Sequence, residues 1–296
     1  MTKHVLVTGG AGQVGLSMQA LGNDALVLHT PDRKHLDLMS DVSIRDAVFS
    51  RQWSGVINAA AYTAVDKAES EKDIAWHVNA VAPGILAQAC AHAKVPLVHI
   101  STDYVFSGEL GRPYVEDDPV GPINVYGASK EAGENAVRSA CESHIIIRTS
   151  WVVSAWRSNF LKTILRLSFE REQLRVVADQ TGRPTSAHDL ARALLSIAEQ
   201  LDGSADARFG TFHFANAGGT NWADFAREII RINGAHGGRD AAVSSIAATD
   251  DPTLARRPRN SVLSTEKIEA AFGLRIRPWQ EATLDILAKL ARKDLP

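Results

Sequence analysis

Thiols are scarce. Cys90 and Cys141 are the only two cysteines in 296 residues, and both fall in apolar, helix-like stretches. Two cysteines cannot build the disulfide framework of a small secreted domain, so they read as core thiols in a reducing cytosol. Long apolar runs are missing as well: no window approaches about 18 uninterrupted apolar residues, which excludes a spanning helix. The N-terminal segment has a short apolar run followed by glycines and does not read as a signal peptide, so a cytoplasmic location is expected. Charge of one sign is not in excess. Thirty-two basic against 34 acidic residues give a formal net charge of −2, which offers no electrostatic case for nucleic acid or an anionic membrane. Internal repeats and low-complexity tracts are also absent.

What is present is ordinary globular material, 45 % hydrophobic and 22 % charged residues, which excludes a disordered or fibrous chain. A chain of this length buries about three quarters of its unfolded surface and needs no staples. It is also near the limit where one core divides, so a large domain with a smaller lobe is expected. The first half switches between short apolar runs, at 4–7, 25–28, 55–60, 96–100 and 144–147, and helical patterns at 13–21, 43–51, 76–93 and 126–141. The runs lack in/out alternation, as strands covered on both faces do. Ser43 is placed as an N-cap, with Asp46 three residues on. Alternating β and α with short connections predicts an α/β fold, a doubly wound parallel sheet of Rossmann type. After Arg148 the texture changes. Helices are expected at 159–172, 187–201, from a Thr220 cap through 232, and at 279–292, with strands at 174–178 and 211–215. The division is therefore 1–150 for a dinucleotide-binding domain and 151–296 for a substrate-binding lobe, whose chain can return to the first sheet.

Gly9, Gly12 and Gly15 form Gly-x-x-Gly-x-x-Gly directly after the first strand and at the start of the first helix. By composition such a triple arises in roughly one chain in ten, so its position carries the argument. The first glycine allows a tight turn, the second lets backbone N–H groups approach a pyrophosphate, and the third allows close helix–sheet contact. The helix N-terminus adds a partial positive charge. A plain strand-to-helix turn is the competing reading. At the second strand's end stand His29 and Thr30, then Asp32, Arg33 and Lys34. The immediate strand end has no carboxylate to hold an NAD ribose, which favours NADPH with NADH possible; Arg33 and Lys34 also fit a merely solvated turn.

Tyr126 and Lys130 stand at i and i+4, on one face of a helix. A free tyrosine titrates near pH 10, and an adjacent ammonium is expected to pull that value toward the working range. The fourth strand ends in Ser101-Thr102-Asp103, where ligands of open α/β sheets bind. There the Thr102 hydroxyl can bond a substrate carbonyl beside the tyrosine, or serve only as a turn former. Together these groups describe hydride transfer to or from a carbonyl. His77, His92 and His213 lack ligand spacing and are expected to be structural. Trp53, Trp76 and Trp222 are expected to be packing residues.

The glycine triple with Tyr-x-x-x-Lys resembles the extended short-chain dehydrogenase/reductase family, and within it the reductases of nucleotide-linked 4-keto-6-deoxy sugars. The similarity runs through residues 12–15, 58–69, 101–106, 124–127 and 148–152, and residues 255–261 are similar to the family's substrate loop. The resemblance implies NADPH-dependent reduction of the C4 ketone of dTDP-4-dehydro-6-deoxy-L-mannose. It puts Gly12, Gln13 and Val14 along the pyrophosphate, Asp37 and Leu38 at the adenosine, and Ala61, Tyr62 and Thr63 on the cofactor's path. Tyr126 becomes the proton donor, Lys130 the partner of the nicotinamide ribose, and Thr102 the group that polarises the ketone. Asp103 and Trp151 would contact the sugar nucleotide, and Arg256, Arg257 and Arg259 would meet its diphosphate, for which guanidinium is suited, or form a hydrated loop.

Two departures qualify the resemblance. An acidic residue that binds Mg²⁺ at a dimer interface in some members is Ser17 here, and its partner region reads Ser186-Ala187-His188-Asp189. No metal is therefore expected, and the chain is taken as a monomer or homodimer. Related dehydratases carry Asp-Glu after the threonine, where this chain has Asp103-Tyr104. A sibling 4-ketoreductase or epimerase is the nearest alternative. A non-catalytic subunit similar to the regulatory subunit of methionine adenosyltransferase is another, and the intact Tyr126–Lys130 pair argues against it.

Overall fold

The computed structural model describes residues 2–22, 25–201 and 208–292. In chain order its first half runs β1 (Lys3–Thr8), α1 (Gln13–Leu21), β2 (Leu26–His29), α2 (Asp41–Phe49), β3 (Gly55–Asn58), α3 (Val65–Ala68), α4 (Lys72–Trp76), α5 (Ala82–Ala93), β4 (Leu97–Thr102), α6 (Val125–Ala140) and β5 (His144–Thr149). The second half adds β6 (Val152–Val153), α7 (Phe160–Glu170), β7 (Gln173–Val177), β8 (Thr181–Gly182), β9 (Thr185–Ser186), α8 (Ala187–Gln200), β10 (Gly210–His213), β11 (Thr220–Asn221), α9 (Trp222–Ala235), β12 (Ala242–Ile246), α10 (Glu266–Phe272) and α11 (Trp279–Ala291).

Six strands form one parallel sheet in the order β10-β5-β4-β3-β1-β2. Successive strand residues sort to opposite faces, as the pleat requires. Val5, Val7, Ile145 and Ile147 pack with Met18 of α1 and Leu190 and Leu194 of α8. Leu6 and Ile146 pack the other way, with Ile44 of α2, Leu86 of α5 and Val137 of α6. Both faces are buried, which is why the strands read as continuous apolar runs. Cys90 and Cys141 are free and buried in the second of these cores. A third core joins α7, β7, α9 and α11 through Leu161, Leu174, Phe225, Ile229 and Ile286. Strand order reverses between β1 and β3, so the crevice of an open α/β sheet lies beyond their carboxyl ends. Among the described residues no helix is long and apolar enough to cross a membrane.

Local expectations fail in instructive places. The N-cap of α2 is Ser40, not Ser43: the Ser40 hydroxyl accepts from the Ser43 N–H at 3.3 Å, while Ser43 Oγ accepts from the Asp37 N–H at 2.9 Å. Starting earlier puts Asp41 in the first turn, where the helix dipole favours a carboxylate. The stretch 76–93 is not one helix. It breaks into a π-turn at His77–Val81 ahead of α5, whose first turn holds Pro83. Proline has no N–H for the carbonyl four residues back, and Asn79 is that residue. The cap of α9 is Asn221 rather than Thr220, its Oδ1 accepting from the Asp224 N–H at 2.8 Å. Trp76 is exposed rather than packed inside.

Candidate active site

At the carboxyl end of β4 the backbone passes into a single 3-10 turn, Asp103–Val105, and Thr102 caps it by accepting from the Tyr104 N–H at 3.2 Å. The Thr102 hydroxyl donates to Asp103 Oδ1 at 3.0 Å. Helix α6 starts opposite, capped by Asn124, whose Oδ1 accepts from the Gly127 N–H at 2.7 Å. A Cβ on Gly127 would stand 2.1 Å from the Tyr104 carbonyl oxygen, and one on Gly133 would stand 2.0 Å from the Asn79 carbonyl oxygen. Glycine at both points lets α6 settle against the β4 turn and the π-turn. The Glu69 carboxylate also accepts from the Val125 N–H at 2.9 Å, anchoring the helix start.

This docking sets Tyr126 against the Thr102 turn, with Tyr104 edge-on at 5.9 Å between ring centroids. Burial pushes the phenol up to about 12, Thr102 pulls it down and the Asp103 charge pushes it further up. The lowering expected from a nearby ammonium is thus overturned for these residues by burial. Lys130 itself is buried, and desolvation pushes its ammonium down to about 8 against the attraction of Glu134 one turn on. Its Nζ donates to the Ile100 carbonyl at 2.7 Å and lies 3.3 Å from His99 Nε2. His99 Nδ1 lies 3.0 Å from Asn58 Nδ2, and the Thr8 hydroxyl donates to Asn58 Oδ1 at 2.6 Å. Burial holds the His99 imidazole well below its ordinary range, so it is neutral. A polar chain therefore runs under the crevice from β1 through β3 and β4 to the Lys130 ammonium. Burial likewise raises the Asp103 carboxyl to about 7, against its hydrogen bond from Thr102.

The glycine turn has the form a dinucleotide needs. Gly9 has φ +71°, and a Cβ there would meet the Ala59 backbone at 2.7 Å. A Cβ on Gly15 would meet the Gly9 carbonyl oxygen at 2.5 Å, so α1 can start this close to the sheet only with glycine. Gly12, exposed, donates its N–H to the Gly9 carbonyl at 2.9 Å. The turn residues thus fit a pyrophosphate by the three separate roles of their glycines. Gln13 turns instead to the second half of the chain: its Oε1 accepts from Ser154 Oγ at 2.7 Å and Asn159 Nδ2 at 3.0 Å. Val14 is half-buried beside it. Asp37 is exposed beyond β2, its carboxylate accepting from the Met39 N–H at 3.0 Å, with Leu38 half-buried next to it. Ala61, Tyr62 and Thr63 lie in the loop between β3 and α3. The Tyr62 backbone brackets the Asn79 amide, whose Nδ2 donates to Ser129 Oγ at 3.0 Å, and its phenol donates to Glu71 at 2.6 Å. Arg33 and Lys34 sit in an exposed turn organised by the Asp32 carboxylate.

On the other side of β4, Trp151 follows β5 in a left-handed conformation, φ +47°, and lies flat on Trp222, ring centroids 3.4 Å apart and planes 8° apart. A Cβ on Gly182 would lie 2.5 Å from the Trp151 ring, so glycine makes room for the indole. Trp222 is thus the backing of Trp151 as well as core. The three arginines of residues 255–261 separate. Arg257 is engaged by the Asp66 carboxylate (Nη2–Oδ2 2.7 Å, Nη1–Oδ1 3.2 Å), which the Ala255 N–H also reaches at 3.1 Å. Arg256 and Arg259 are exposed, and their guanidinium groups take no protein partner among the described residues. The Arg256 carbonyl accepts from Asn124 Nδ2 at 2.7 Å, which ties this loop to the start of α6. Among the described residues no cluster of three or more metal-type ligands occurs.

The profile of the RmlD substrate binding domain matches residues 3–292. The chain belongs to the RmlD family. Its relatives in that family include a dTDP-4-dehydrorhamnose reductase of Sinorhizobium fredii, 43 % identical over 282 residues, 95 % of each chain. A crystal structure of dTDP-4-dehydrorhamnose reductase from Bacillus anthracis in complex with NADP is similar with TM-score 0.91 and 33 % identity, covering 98 % of this chain and 100 % of that one. The reductase structure from Clostridium acetobutylicum is similar with TM-score 0.90 and 36 % identity, covering 97 % and 99 %. This RmlD family member therefore has the Rossmann-type parallel sheet of those solved reductases.

Proposed function

We propose that the chain is an NADPH-dependent oxidoreductase that reduces the C4 ketone of dTDP-4-dehydro-6-deoxy-L-mannose to dTDP-L-rhamnose, with NADH as a possible substitute. The observation that carries this reading is the docking of Tyr126, at the start of α6, against the Thr102–Val105 turn at the carboxyl end of β4, fixed by the close approach of Gly127 to the Tyr104 carbonyl. Gly9, Gly12 and Gly15 would hold the reduced dinucleotide, which would supply the hydride. Tyr126 gives its phenolic proton to the oxygen that becomes negative, and a phenol held near 12 keeps that proton throughout the neutral range. Thr102 exchanges its bond to Asp103 for one to the same oxygen, an oxyanion-type stabilisation. The Lys130 ammonium steadies the phenolate left behind and offers a donor to the ribose. Trp151 and Asp103 face the sugar, and the free guanidinium groups of Arg256 and Arg259 suit the diphosphate.

Residues 1–150 hold the dinucleotide and 151–296 the nucleotide sugar in this reading, with β10 completing the sheet of the first. The enzyme acts in the cytoplasm as a monomer or homodimer, without nucleic acid or membrane as partner. The test is to mix the protein with NADPH and a dTDP-4-keto-6-deoxyhexose, follow nicotinamide absorbance and identify the product by NMR. Oxidation of NADPH with appearance of the 4-hydroxy sugar is expected. No turnover with a ketone that a known relative consumes would overturn the assignment, and a product epimeric at C4 would point to a sibling reductase.

A further inference from the structure

Resting on the reading of the glycine turn as the NADPH site, we propose that Arg157 is a cofactor-binding residue, sent across from the second lobe to hold the dinucleotide's diphosphate bridge. The turn itself, residues 9–15, reads Gly-Gly-Ala-Gly-Gln-Val-Gly and carries no charged side chain, and the first turn of α1 has no basic or acidic residue. A diphosphate bridge brings two negative charges to that place. Backbone N–H groups and the helix dipole supply only partial charges in return. One full positive charge does reach the turn: Arg157 Nε donates to the Ala11 carbonyl at 2.8 Å.

The arm is held in place from below. Ser154 and Asn159, on either side of Arg157, both bond the Gln13 side chain at the start of α1. Asn159 Nδ2 also closes the loop onto the Ser154 and Trp156 carbonyls at 2.8 and 3.2 Å, and Lys289 Nζ lies 4.8 Å from the Trp156 ring centroid. Within this fixed loop Arg157 takes φ +52°, a left-handed conformation that costs a side-chain-bearing residue and suits glycine. The strained backbone aims the side chain at the turn. Arg157 is exposed, its Nη1 and Nη2 take no protein partner among the described residues, and the Nε bond to Ala11 fixes the plane of the fork. Guanidinium in that state binds phosphate oxygens in pairs, where an ammonium binds as a point charge.

The experiment is a titration of NADPH into the protein without sugar nucleotide, read by nicotinamide fluorescence, for wild type, Arg157→Gly and Arg157→Lys. Competition with ADP-ribose, which keeps the diphosphate bridge and lacks nicotinamide, is measured alongside. Arg157→Gly is expected to weaken NADPH and ADP-ribose alike by about tenfold at low salt, the loss of one charge-assisted contact. The gap should narrow as salt screens the exposed charge, and Arg157→Lys should recover part of it. The melting temperature of the free protein should not fall, since glycine relieves the left-handed backbone. If Arg157→Gly does not fold, Arg157→Gln replaces it in the same titration. Wild type and Arg157→Gly binding NADPH within twofold of each other would overturn this inference and leave the reductase reading standing. A wild type that does not bind NADPH would overturn the reading of the turn and this inference with it.

Discussion

At the scale of single residues, the balance of burial against charge decides the chemistry. Tyr126→Phe removes the proton source and keeps the ring, so turnover should fall by about 10²- to 10⁴-fold while NADPH affinity changes little; stopped turnover and a binding titration together check this. The two titrating groups separate cleanly. Burial pushes Tyr126 up to about 12 and Lys130 down to about 8, so the phenol is protonated over the whole physiological range. Of these two, Lys130 loses its proton first as pH rises, and in the proposed mechanism the positive charge that steadies the phenolate goes with it. Turnover should therefore decline as pH rises through about 8, and a pH profile with no decline below about 10 would refute the assignment of that limb to Lys130. The Tyr126–Lys130 spacing was legible in the sequence because i and i+4 share a helix face. The partners that set the ammonium were not, because His99 stands on β4 and Asn58 on β3, and only strand pairing brings them together.

At the scale of elements, small residues mark where backbones touch. Gly127 lets α6 meet the β4 turn, and a Cβ there would stand 2.1 Å from the Tyr104 carbonyl oxygen. Gly127→Ala should cost about 1–3 kcal/mol in urea unfolding and lower turnover more than it alters NADPH binding, because it pushes Tyr126 away from Thr102. The parallel strands were readable because both faces of each are buried. The break at His77–Val81 had a signal in Pro83, which apolar periodicity alone passed over. The strand Ala242–Ile246 and the helix Glu266–Phe272 went unread. Both are short, and the strand takes its place by pairing with β7 rather than by its own pattern.

At the scale of the whole molecule, the sheet and the site are each finished by distant parts of the chain. Strand β10 adds to the edge of β5, and α8 covers β1 and α1 through Leu190 and Leu194. A fragment of residues 1–150 would leave that edge and that face open to solvent, so it should show no cooperative thermal transition and should bind a hydrophobic dye. The loop 253–261, tied to Thr181 within the second half, likewise crosses to Asp66 and Asn124 of the first. Alanine at Arg256 and Arg259 should raise the Michaelis constant for the sugar nucleotide several-fold and leave that for NADPH unchanged; equal changes in both would refute their role at the sugar diphosphate. Separation in sequence hid these contacts: Arg257 and Asp66 are 191 residues apart.

The paired indoles of Trp151 and Trp222 carry an optical consequence. Two chromophores stacked 3.4 Å apart and nearly parallel share their excited states. Anything that settles against the outer ring shifts that coupling, so circular dichroism of the aromatic bands should register a sugar nucleotide arriving even in the dark of an unreduced nicotinamide.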